Sequence, residues 1–130
     1  MKTVTKWLKA HEFESWQNHN KIKLDGSTEH GFSPKALLLA GLAGCSGIDV
    51  VDILKKMRVA VSSLEIDTET TQTEDQPKVF KDIEIIYRVK TDPANEDKVR
   101  KAIELSLEKY CGVSAMLQKN SPITYKLVIE

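Results

Sequence analysis

Ser33-Pro34-Lys35-Ala36-Leu37-Leu38-Leu39-Ala40-Gly41-Leu42-Ala43-Gly44-Cys45-Ser46-Gly47-Ile48-Asp49-Val50-Val51 is the stretch that decides the fold. Serine is a favoured N-cap, and proline at the first helical position gives up only an N–H that has no partner there, so a helix is predicted to start at Pro34. Its uncharged run, Ala36 to Ile48, is 13 residues long, short of the roughly 18 expected of a membrane span, and reads as a buried helix. Apolar residues cover nearly every side until Asp49 and Asp52 appear. The first half is therefore expected to be surrounded by protein and the second half, through Ile53, Leu54 and Met57, to be amphipathic. Gly41, Gly44 and Gly47 recur every third residue, and each costs up to about 1 kcal/mol against alanine in a helix. Their spacing fits either a tight helix crossing or the close approach of another backbone or a substrate.

On the N-terminal side, Val4, Trp7, Leu8, Phe13, Trp16, Ile22 and Leu24 are spread among charged residues. Turns at Asn18-His19-Asn20 and Asp25-Gly26 divide the segment into two or three short strands, with both tryptophans read as packing residues. On the C-terminal side, Leu64, Ile66, Thr68 and Thr70 alternate with acids. After a polar Glu74-Asp75-Gln76-Pro77 loop, Ile83, Ile85, Tyr87 and Val89 alternate in turn, which predicts a two-stranded meander with one buried face. Asp92-Pro93 opens a second helix whose inner stripe is Val99, Ala102, Ile103, Ser106 and Tyr110. Gly112 is expected to interrupt it, Val113 to Gln118 to form a shorter helical piece, and Ile123 to Ile129 a last strand. Strands, helix, strands, helix, strand give an α+β chain with antiparallel sheets packed on two main helices, read as a single domain over residues 1–130.

Composition narrows the functional classes. The 130 residues include 19 Lys plus Arg and 19 Asp plus Glu, a net charge of zero, which provides no global attraction to nucleic acid or an anionic membrane. Two cysteines are too few for a disulfide scaffold. The charged beginning has no apolar leader pattern, so the chain is expected to be cytoplasmic.

Cys45 lies in the glycine-spaced part of the first helix. Cys111 lies where the second helix restarts, a place at which helix N-terminal N–H groups stabilise a thiolate. By composition alone both read as small core hydrophobes. His11, His19 and His30 are too far apart for a one-turn metal pair, and no phosphate-binding glycine loop or Ser-His-acid signature is present. No cofactor and no metal are expected.

Ser33-Pro34 with Ala36 through Cys45, and Tyr110-Cys111-Gly112-Val113-Ser114 66 positions after the first cysteine, resemble the OsmC/Ohr family over nearly the whole chain. Cys45-Ser46 followed by Ile48-Asp49-Val50-Val51, a C-S-x-I-D-V-V pattern, is similar to a short branch of that family. The resemblance implies an OsmC-like fold in an intertwined homodimer with active sites at the subunit interface. It implies a thiol peroxidase acting in oxidative stress defence: Cys45 attacks the O–O bond of a small organic hydroperoxide and becomes a sulfenic acid, Cys111 closes a disulfide on it, and a dithiol reductant resets the pair. The apolar surroundings of Cys45 suit an organic hydroperoxide better than hydrogen peroxide.

The chain departs from the family where the thiol is activated. The residue after Pro34 is Lys35 where the family has Glu. The three arginines, Arg58, Arg88 and Arg100, all follow Cys45, whereas the family's activating Arg precedes it. A thiol buried without a compensating cation has its pKa raised. Lys35, Lys21, Lys23 and His30 are the candidate substitutes. Asp49, one helical turn after Cys45, reads either as a residue that orients a Lys or His or as a surface acid balanced by Lys55 or Lys56. Three readings follow: the peroxidase, a non-peroxidase dimer of the same fold binding a small apolar molecule, and a thiol enzyme acting on another electrophile such as a thioester.

Overall fold

The structure, a computed structural model, describes all residues from 1 to 130. The chain forms two compact units, Met1–Leu39 and Ala40–Glu130. In the first, strands β1 (Val4–Lys9), β2 (Glu12–Gln17) and β3 (Asn20–Asp25) form an antiparallel sheet in sequence order. The hairpin turns are made by Ala10 and Asn18, both at positive φ. Asp25-Gly26 ends β3 and does not turn a hairpin. β1 is exposed along its whole length, and Trp7 is 65% exposed with its indole N–H donating to the Ala10 carbonyl. In this chain, therefore, Trp7 is not the packing residue predicted.

Asp25 clamps the segment after β3. Its buried carboxylate accepts from the Ser27 N–H at 2.9 Å, the Ser27 hydroxyl at 2.7 Å and the His30 N–H at 3.0 Å. The Ser27 hydroxyl bond contributes most to pulling this carboxyl from its ordinary 3.8 down to about 2, with the backbone N–H groups adding to it. A folded-state pKa below the unfolded one gives stability that is present above pH 3.8 and lost as pH falls toward 2. Acid titration followed by the fluorescence of Trp7 and Trp16 is therefore expected to show a loss of the first unit's structure across that window. Asp25→Asn should flatten that loss, and an unchanged curve would contradict the clamp.

Helix α1 (Pro34–Lys56) begins in the first unit and lies mostly in the second. The Ser33 hydroxyl accepts the Ala36 N–H, the cap expected from the sequence. Leu42, Ser46, Val50 and Leu54, at steps of four, form its one fully buried stripe. The expectation of a helix surrounded over its first half is not met within the chain. A Cβ on Gly41 or Gly44 meets nothing within 4 Å, and only Gly47 has a close neighbour, the Ile66 side chain. The helix is long and apolar enough to span a bilayer, but its buried stripe makes it a core helix of the second unit.

The second sheet contains β4 (Ser63–Gln72), β5 (Phe80–Lys90) and β6 (Ile123–Ile129) in that order. β4 and β5 are antiparallel, as the meander predicts. β6 runs parallel to β5, contrary to the expected antiparallel pairing. The segment between them carries helices, and a crossover of a dozen or more residues permits parallel pairing where a short turn does not. Ile83, Ile85, Tyr87 and Val89 face the core from β5.

Helix α2 (Glu96–Leu105) buries Val99, Ala102 and Ile103. It does not simply stop near Gly112. It widens into a π-turn, Ser106–Tyr110, closed by the Cys111 N–H donating to the Ser106 carbonyl at 2.7 Å. Helix α3 (Gly112–Leu117) follows. The wider turn advances the inner stripe by one residue, so the predicted inward Tyr110 is exposed and Cys111 takes the buried place.

Candidate functional site

The inward shift of Cys111 brings the two cysteines together. Both thiols are free, Cys45 half-buried and Cys111 only 3% exposed, and they are neighbours, close enough that Cys45 acts on the titration of Cys111. Cys111 is the N-cap of α3, and its Sγ accepts the Ser114 N–H at 3.4 Å, which is the helix-terminus contact expected from the sequence. Burial pushes the Cys111 thiol above its ordinary value, the Ser114 N–H opposes that shift, and Cys45 adds to it.

A buried chain of hydroxyls lies on the core side of the same helix. Ser46 Oγ is 2.6 Å from the Tyr87 hydroxyl and 2.9 Å from Ser106 Oγ, and Ser106 Oγ donates to Asp49 Oδ2 at 2.9 Å. Tyr87, Ser46 and Ser106 are fully buried. Burial pushes the Tyr87 phenol up to about 12, with the Ser46 hydrogen bond opposing and charge at Cys111 and Asp49 adding. The Tyr125 ring meets Tyr87 edge-on at 6.1 Å. Asp49 is thus neither of the two things the sequence offered, since its partner is a serine of the π-turn. Pattern reading missed Ser46, Tyr87 and Ser106 because an alternating strand residue and two small helix residues carry no local mark of chemistry.

Asp49 also lines a cleft of about 450 Å³ with Asp52, Ile53, Lys56, Met57, Leu105 and Tyr110. A groove of about 530 Å³ between Glu69 and Thr124 contains no thiol.

Three of the four candidate cations, Lys21, Lys23 and His30, are engaged elsewhere. Lys23 binds Glu12 at 2.9 Å, Lys21 binds Glu14 at 3.6 Å, and His30 Nδ1 lies 3.7 Å from both Glu12 and Asp25, all inside the first unit. Arg88 is paired with Asp67, and Arg100 with Glu96 and the Tyr125 hydroxyl. Glu12, Asp25 and His30 bring potential metal-ligand atoms within 4.8 Å of one another. Lys23 and the Ser27 and His30 N–H groups already occupy the two carboxylates.

The OsmC-like protein family model matches residues 18–126. The chain is 35% identical over 128 residues to protein YhfA of Escherichia coli K12, covering 96% of this chain and 95% of that one. A crystal structure of a hypothetical protein from Aquifex aeolicus VF5 superposes with a TM-score of 0.85 at 32% identity, over 99% of this chain and 96% of the other. The organic hydroperoxide resistance protein OhrB of Bacillus subtilis shares the fold, with a TM-score of 0.66 at 20% identity over 97% and 96% of the two chains. With the family match spanning most of the chain and both cysteines side by side behind a serine-capped helix, this protein belongs to the OsmC-like family.

Proposed function

We propose that the protein is a thiol-dependent peroxidase of the OsmC/Ohr type that reduces small organic hydroperoxides. The observation that carries this reading is the pair of free, neighbouring thiols, Cys45 half-buried and Cys111 buried. The Cys45 sulfur attacks the O–O bond, releases an alcohol and becomes a sulfenic acid. Cys111 then displaces hydroxide from that sulfur, which leaves as water, and a dithiol reductant opens the disulfide. A cytoplasmic setting, where thiols are held reduced, suits the cycle.

The test is single-turnover oxidation with cumene hydroperoxide, followed by mass spectrometry. Loss of two hydrogens with Cys45 linked to Cys111 supports the reading. Oxidation no faster than that of a free thiol overturns it. The rival reading, a dimer that binds a small apolar molecule without peroxidase chemistry, is favoured by the burial of Cys111 with Arg88 and Arg100 both engaged elsewhere. A slow thiol would select it.

The protein acts as a homodimer in this reading. Gly41, Gly44, Ile48 and Val51 recur at steps of three and four along an open side of α1, with Ile48 65% and Val51 52% exposed. Such a stripe of small and branched residues suits close packing against a second copy. Ile48→Asp is expected to convert the dimer to a monomer in light scattering, and a wild-type monomer would count against the assembly.

A further inference from the structure

We propose that the cleft between α1 and the π-turn binds a small organic cation, an ammonium group carried on an apolar body, with Asp49 as its anchor. The inference concerns a binding site and goes beyond the thiol chemistry; it does not rest on the peroxidase reading.

The cleft has the size and the mixture of groups that small-molecule sites have. Its volume of about 450 Å³ falls within the roughly 300–1,000 Å³ of ligand pockets, which combine a mainly apolar lining with a few placed polar groups. Ile53 and Met57 of α1 and Leu105 of α2, each partly exposed, supply the apolar lining, and Tyr110 supplies an aromatic one. Tyr110 is there because of the π-turn. Without the added residue its ring takes the inward place that helical spacing predicts, and the cleft loses this side. Lys109 Nζ already lies 5.4 Å from the centroid of the ring, so what Tyr110 adds to the cleft is apolar area rather than a free cation–π face.

The charged groups select the sign of the ligand. Asp49 and Asp52 bring two carboxylates to the cleft and Lys56 one ammonium. The ion pairs of the second unit, Arg88–Asp67, Arg100–Glu96 and Lys126–Glu84, include none of these three residues. The three are not equivalent. Asp52 and Lys56 are exposed, and a solvated charge on a mobile side chain contributes little to recognition. Asp49 is half-buried and is held from behind. Ser106 Oγ donates to its Oδ2 at 2.9 Å and lies 2.9 Å from Ser46 Oγ, which in turn is 2.6 Å from the Tyr87 hydroxyl. Ser46, Ser106 and Tyr87 are fully buried, so the carboxylate is oriented before a ligand arrives, which lowers the ordering cost of binding. A carboxylate has about four acceptor sites, of which the Ser106 hydroxyl fills one. An ammonium, with three donors and no acceptor, is the complement of the sites that remain. Cys45, Asp49, Asp52 and Lys56 follow one another at steps of four, three and four along one side of α1. A ligand anchored at Asp49 is therefore one helical turn from the half-buried thiol.

Three probes with one body and different head groups test the choice: phenylbutylamine, phenylbutanol and phenylbutyrate, titrated into the whole chain and followed by amide chemical shifts. At pH 7 and low salt the amine should bind about tenfold or more tighter than the alcohol, and the carboxylate should bind weakest. The shifts should centre on Ile53, Met57, Leu105 and Tyr110. Added salt should weaken the amine and not the alcohol. Asp49→Asn should remove the amine's advantage while leaving the alcohol's affinity unchanged. Asp52→Asn, at an exposed position, should weaken the amine by no more than about threefold. The wild-type series and Asp52→Asn remain decisive if Asp49→Asn fails to fold. Equal binding of amine and alcohol, tightest binding by the carboxylate, shifts centred outside the cleft, or no binding of the amine at millimolar concentration overturns the proposal. No step of the test involves a peroxide, so failure of the peroxidase reading and failure of this site are read separately.

Discussion

Cys45→Ser is expected to reduce hydroperoxide consumption by about a thousandfold or more, to the rate of an unassisted thiol. A serine oxygen forms no sulfenic acid, and the remaining sulfur, Cys111, is buried and held protonated. Serine and cysteine are nearly the same size, and position 45 is half-buried, so thermal stability should scarcely change. The companion variant separates the two roles. Cys111→Ser should leave the first turnover intact and stop the second, with sulfenic acid accumulating on Cys45. Coupled consumption of tert-butyl hydroperoxide with dithiothreitol reads both. A Cys111→Ser protein that is silent in its first turnover would reverse the assignment of the two sulfurs. An active Cys45→Ser protein would overturn Cys45 as the attacking sulfur, and a wild-type protein no faster than a free thiol would turn the reading toward the binding dimer.

Ile85→Ala is expected to produce the largest loss of stability among these variants, about 2–5 kcal/mol. Ile85 is fully buried in the middle of β5, opposite Thr68 of β4 on one side and Tyr125 of β6 on the other. The deleted atoms leave a cavity that a strand held by ladders on both edges cannot collapse to fill. Melting should fall by roughly 6–15 °C, and the urea midpoint should drop with the slope unchanged. Ile22→Ala, at an exposed position of β3, should stay within about 0.5 kcal/mol. A similar loss at both positions would mean that β5 is not the centre of the core.

The engagement of the candidate cations bears on how the thiols work. Lys21, Lys23 and His30 are paired inside the first unit and Arg88 and Arg100 in the second, and the group that meets the Cys111 sulfur is the Ser114 N–H. A helix-terminal N–H lowers a thiol pKa less than a desolvated guanidinium does.

Local sequence determined those features whose causes are local. Ser33 and Pro34 start α1 because a hydroxyl cap and a missing N–H act within one turn. The alternation Ile83, Ile85, Tyr87 and Val89 specifies the buried side of β5 because successive strand side chains point to opposite faces. The paired cysteine motifs identified the family, because two separated patterns had to match together. What only the tertiary structure decided depends on distance in space or on a change of helical phase. The parallel β5–β6 pairing is set by where a long crossover returns. The π-turn adds one residue to the helical phase, turning Tyr110 out and Cys111 in. Asp49 meets Ser106 57 residues away, and Ser46 meets Tyr87 41 residues away. No local periodicity encodes those contacts, because a hydrogen bond between distant elements depends on how helix and sheet pack, which the whole chain sets.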